Sequence, residues 1–123
     1  MANGTIPMSG LKKLWTNANT GASFAAQTVA VDLTGFTAVL INFKETAGDM
    51  AGFDYVAPVD TGSHVVSKVS MPSNGLTSYA YSRTVSYSSS GVAFGDALKK
   101  TLLSGDRETS NSNMIPSAIY GIA

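Results

Sequence analysis

Between Ser78 and Ser88 the residues alternate without a break, with Tyr79, Tyr81, Arg83, Val85 and Tyr87 on one side and Ala80, Ser82, Thr84 and Ser86 on the other. A helix would scatter these tyrosines around its axis. An extended strand collects them on one face, because successive side chains point to opposite sides. This segment therefore predicts a strand with a continuous aromatic row. Two readings of the row stand side by side. It is a contact surface, since tyrosine offers large area at small entropic cost, or it lines the core with its hydroxyls at the rim.

The same period recurs along the chain. Leu11–Trp15 reads as a first strand. Gln27–Leu33 alternates through Val29, Val31 and Leu33, and Thr37–Lys44 through Val39, Ile41 and Phe43. With Gly35 between them, these two segments predict an antiparallel hairpin. Leu40 adds apolar character to the second face, so that strand is expected to be central and buried on both sides. Phe53–Pro58 reads as an edge strand, because Pro58 cannot donate to a ladder. Val65, Val69 and Met71 mark another strand and Val92 and Phe94 a short one, while in Ala97–Leu103 the pair Leu98 and Leu102 fits one helical turn as well as one face of a strand, and the neighbouring strands favour the strand. Met114–Ile122 closes the chain, starting at an edge or bulge because of Pro116.

Turn residues separate these segments, among them Pro72-Ser73-Asn74-Gly75 and Ser88-Ser89-Ser90-Gly91. Seven to nine short strands at this spacing predict an all-β fold, a single antiparallel, jelly-roll-like sandwich. The expected organisation is an extended N-terminal arm over residues 1–10 and one sandwich domain over residues 11–123. The arm carries Ile6, Pro7 and Met8. The glycine- and acid-containing stretch Glu45–Gly52 and the polar stretch Gly105–Asn113 read as loops.

Composition narrows the function classes. Charged residues are only 13% of 123, and eight Lys and Arg balance eight Asp and Glu. Such a chain exerts no long-range attraction on phosphate, so no nucleic-acid partner is expected. Low charge also does little to keep copies apart, which suits a protein that assembles. There is no cysteine, hence neither disulfide nor thiolate metal site. No stretch is long and apolar enough to span a bilayer as a helix, and no membrane partner is expected. The start, Met1-Ala2-Asn3-Gly4-Thr5-Ile6-Pro7, lacks the basic and apolar regions of a signal peptide, so synthesis in a cytosol is expected.

Groups that could do chemistry are sparse. His64, near Asp60 and several serines, is the only histidine, and no nucleophile-elbow pattern surrounds any serine. It reads as a surface or satisfied histidine. Asp49, Asp54 and Asp60 could gather around a weak calcium ion, but lack calcium-loop spacing and read as solvated loop charges. The pairs Lys12-Lys13 and Lys99-Lys100 read as solvated strand faces. No catalytic residue, metal or cofactor is assigned. The residues expected to make contacts are Ile6, Pro7 and Met8 on the arm, Trp15, the tyrosines Tyr79, Tyr81 and Tyr87, and the loop residues Asp49, Arg107 and Asn111. Trp15 reads as a core or interface anchor.

Several stretches, taken in order, resemble a family. They are Leu14-Trp15-Thr16-Asn17, Phe24-Ala25-Ala26-Gln27-Thr28, Val39-Leu40-Ile41, Ser88-Ser89-Ser90-Gly91-Val92-Ala93-Phe94, and Met114-Ile115-Pro116 with Ile119-Tyr120-Gly121-Ile122. Their order resembles a small β-sandwich domain of virion proteins in tailed phages and prophages of Gram-positive gut bacteria. The resemblance implies a non-enzymatic, oligomeric structural accessory located in the virion, with a trimer as the expected oligomer. A tail-fibre or receptor-binding role would use the loops to touch host surface glycan or protein. A capsid decoration or head-fibre role would use the arm to grip other virion proteins. A small glycan hydrolase is the third alternative, weakened by the missing acid pair.

Overall fold

The computed structural model describes residues 10–44, 52–60, 62–70 and 78–123. The arm residues Ile6, Pro7 and Met8, and Asp49 of the first loop, lie outside the described residues. Those described form ten strands and no helical element. The strands are β1 (Leu11–Thr16), β2 (Gln27–Val29), β3 (Ala38–Phe43), β4 (Phe53–Pro58) and β5 (Ser63–Ser70). They continue with β6 (Tyr79–Ser88), β7 (Gly91–Phe94), β8 (Leu98–Thr101), β9 (Arg107–Thr109) and β10 (Pro116–Ile122).

All pairings are antiparallel and fall into two sheets. The first runs β1-β10-β3-β4. The second is built on β6. Its residues Tyr79–Ser86 pair with β5 on one flank, while the other flank is shared, β7 taking Val85–Ser88 and β8 taking Tyr79–Ser82. Outside these, β2 pairs β7 and β9 pairs β8. The second sheet thus also has four strand positions, two of them occupied by a pair of short strands end to end.

The sheets face each other across a shared core, as expected for a sandwich. Val39, Ile41 and Ile119 come from the first sheet, Val85 and Val92 from the second, and each is fully buried. At one open side Phe24 packs edge-on against Trp15 and Phe94, with centroids 6.1 and 5.4 Å away. At the other, Phe53 stacks on Phe43 and Lys68 lays its Nζ 5.0 Å over the Phe53 ring.

Several expectations change. Ten strands replace seven to nine, because β9 lies inside the polar stretch Gly105–Asn113. Arg107, Glu108 and Thr109 are all exposed, so the strand has no apolar face to betray it and exists through its ladder to β8. The hairpin of Gln27–Leu33 with Thr37–Lys44 does not form. β2 ends at Val29 and pairs β7, whereas β3 lies in the other sheet, so the chain crosses between layers. Val31 and Leu33 still pack against the core from that crossing, which accounts for their apolar period. The strands β3–β4 stay within one sheet and β5–β6–β7 within the other. These are meanders, whereas a jelly-roll winding alternates between sheets. Phe53–Pro58 is an edge strand, and β10 opens at Pro116 with an irregular register, both as expected.

Candidate interaction site

The tyrosine row faces inward. Its register with β5 and β8 sets Tyr79, Tyr81, Arg83, Val85 and Tyr87 toward the first sheet. Tyr81 and Tyr87 are buried. Of the two readings of this row, the core reading holds for them, and they are withdrawn as contact residues. Tyr79 sits half-buried at the rim, with Lys99 Nζ 4.1 Å over its ring. Trp15 is half-buried and packs on the core cluster.

Asn111 is a clip and not a loop tip. Its side chain accepts from the Ala97 amide at 2.8 Å and donates to Asp96 Oδ1 at 2.9 Å, and its carbonyl accepts from the Phe24 amide at 2.9 Å. Asp96 Oδ1 also accepts from the Ala26 amide. These bonds tie the segment before β2 to the β7–β8 junction and hold the Asp96 carboxyl below its ordinary range. Arg107 is exposed on β9 and, with Lys99, Thr101, Asp106 and Glu108, lines a shallow recess of about 230 Å³.

At one end of the sandwich, His64 Nε2 lies 2.8 Å from Asp60 Oδ1, which also accepts from the Gly62 amide. The His64 ring tilts against Tyr87 at 5.8 Å. The Tyr87 hydroxyl is buried with no hydrogen-bond partner, and burial raises its pKa. Asp60, Tyr87, Leu33 and Val59 border a recess of about 250 Å³. Asp54 stands apart from this group, accepting from Asn42 Nδ2. Among the described residues no three His, Asp or Glu side chains gather for a metal ion.

The two outer faces differ in kind. That of the second sheet is mainly polar, carrying Ser63, Ser67, Ser82, Thr84 and Ser86, with Val65 and Val69 exposed near its β5 edge. That of the first sheet is apolar across two rows, apart from Lys13. Register sets Leu11, Ile122, Ala38 and Pro58 in one row across the strands, and Lys13, Tyr120, Leu40 and Val56 in the next. Thr16, Ala118, Asn42 and Asp54 form the third. Val56 is 56% exposed, and Leu40, Tyr120 and Ile122 are only half-buried. β3 is therefore central but is not buried on both sides. A contiguous apolar sheet face left open to water marks a contact site. Leu40 signals it in the sequence. Tyr120 and Ile122 add to it only once β10 is known to lie between β1 and β3.

No protein-family model matches the chain, and no curated protein or solved structure is detectably similar to it.

Proposed function

We propose that this chain is a structural attachment module of a phage particle, made in the host cytoplasm and carried in the virion, and that it works as an oligomer of the receptor-binding or tail-fibre type. The observation that carries the reading is the open apolar face of the β1-β10-β3-β4 sheet on a block whose strands are locked by antiparallel ladders. Such a face suits association by shape within the particle, with copies of the chain or with other virion proteins, and leaves the remaining surface for host surface glycan or protein. The ordered stretches from Leu14 to Ile122 that resemble virion sandwich domains supply the setting. No reaction is assigned to the Asp60–His64 pair. Binding of the purified protein to host cells or cell-wall polysaccharide, with labelled antibody decorating the tail tip, is the expected result. Absence of both, or turnover of a glycan by the purified protein, ends this reading.

The capsid decoration reading is favoured by a second observation. The amide of Ala123 donates to the Gly10 carbonyl at 2.9 Å, which anchors Gly10 beside the end of β10. Deleting residues 1–9 would then abolish attachment to the capsid while leaving this anchor and the melting temperature unchanged.

A further inference from the structure

We propose that two copies of this chain pair through the outer face of the β1-β10-β3-β4 sheet, related by a two-fold axis parallel to the strands. The pairing goes beyond the attachment reading and does not depend on which particle, if any, carries the protein.

The two central strands of that face carry Leu40, Tyr120 and Ile122, Val56 extends the apolar strip onto β4, and the charges lie on the two edge strands. Lys13 stands on β1 and points outward beside Tyr120, its Nζ 5.6 Å over that ring. Asp54 stands on β4 and points outward beside Asn42, whose amide holds it in place. The cross-strand register puts Lys13 in the row of Leu40 and Val56, and Asp54 one row further along.

A two-fold axis along the strands exchanges the edges. β1 of one copy then lies over β4 of the other, and the apolar strips meet in the middle. Facing sheets stack about 10 Å apart, and neighbouring rows on one face are separated by two residues, about 7 Å. Lys13 therefore stands over the partner's Val56, with the partner's Asp54 one row away and within reach of an extended lysine side chain. The symmetry forms the reciprocal pair at the same time. Equal numbers of acidic and basic residues leave no net repulsion between copies. An unrelated partner would have no reason to match both edges, whereas a second copy matches both automatically. A three-fold ring would have to join two different surfaces, and the face described here is complementary to itself.

The test is sedimentation or light scattering of the full chain from micromolar to millimolar concentration. A monomer–dimer equilibrium is expected. Lys13→Glu alone places two acids together, and Asp54→Lys alone two lysines, so each should weaken association about tenfold, equivalent to about 1.4 kcal/mol. The double variant Lys13→Glu with Asp54→Lys should return association to within about threefold of the starting value, because it restores opposite charges. Leu40→Asp, which sets an acid against the partner's Tyr120 at the centre of the face, should abolish pairing, and Val65→Asp on the other sheet should leave it unchanged. Circular dichroism confirms that each variant folds. A chain that stays monomeric at millimolar concentration, a trimer, failure of the double variant to recover, or loss of pairing on Val65→Asp overturns the proposal.

Discussion

Arg83 donates through Nη1 to the carbonyl of Gly95 at 2.6 Å, at the point where β7 leaves the flank of β6 and β8 takes over. The same guanidinium donates to the carbonyls of Met114 and Asn113 and lies 5.4 Å from the Phe24 ring. It is 1% exposed. Burial lowers its pKa to about 10, with nearby Asp96 opposing the shift, so it remains charged at neutral pH. One buried cation thus satisfies three carbonyls at the interruption in the second sheet, and it receives Met114, whose φ of 50° is left-handed.

Replacing Arg83 with Met should therefore cost about 3 kcal/mol or more, because three acceptors lose their donor inside the sandwich. Lysine should recover little, since a point charge cannot reproduce a planar fork with fixed directions. Urea unfolding of Arg83→Met and Arg83→Lys measures both values. A cost below about 1 kcal/mol for Arg83→Met would show that water replaces the fork.

Gly91 turns β6 into β7 with a φ of 126°, and a Cβ there would stand 2.1 Å from the carbonyl oxygen of Val29. Gly35 also has a positive φ, 86°, but a Cβ there meets nothing within 4 Å. Gly91→Ala should cost more than about 3 kcal/mol, combining backbone strain with displacement of β2, while Gly35→Ala should cost about 1 kcal/mol from strain alone. Thermal melts of the two variants check the ranking, and equal costs would contradict it.

Tyr87→Phe should leave stability unchanged or raise it by about 1 kcal/mol, because the hydroxyl it removes is buried without a partner. A loss comparable to that of a core hydrogen bond would reveal a partner for this hydroxyl. The comparison is made by denaturant midpoint at constant slope.

Stability should fall in acid. The Asp96 carboxyl is held below its ordinary 3.8 by the Ala26 amide and then by Asn111, and Asp60 is held below the same value by His64 and then by the Gly62 amide. A carboxylate lowered in the folded state binds fewer protons there than in the unfolded chain. Its contribution is present above the ordinary value and is lost as pH falls through the lowered one. Melting temperature should then be level down to about pH 4 and decline below it, less steeply in Asp96→Asn. An acid limb of equal slope in that variant would remove Asp96 from the account.

The alternation from Tyr79 to Tyr87 was enough to predict a strand, and the prolines were enough to mark the edge at Pro58 and the irregular start of β10. These are local properties, set by which way neighbouring side chains point and by a missing amide. Which face of β6 turns inward is not local, and neither is the partner of β2 or the existence of β9. β1 pairs with β10 from the opposite end of the chain, and that pairing is what brings Tyr120 and Ile122 beside Leu40 to make an apolar face. The same holds for Arg83, which occupies one place in an alternating row but finds its acceptors on three residues from two other segments. Side-chain period is written residue by residue. Layer, partner and exposure arise only when distant segments compete for the same core, and that competition was settled by the tertiary structure.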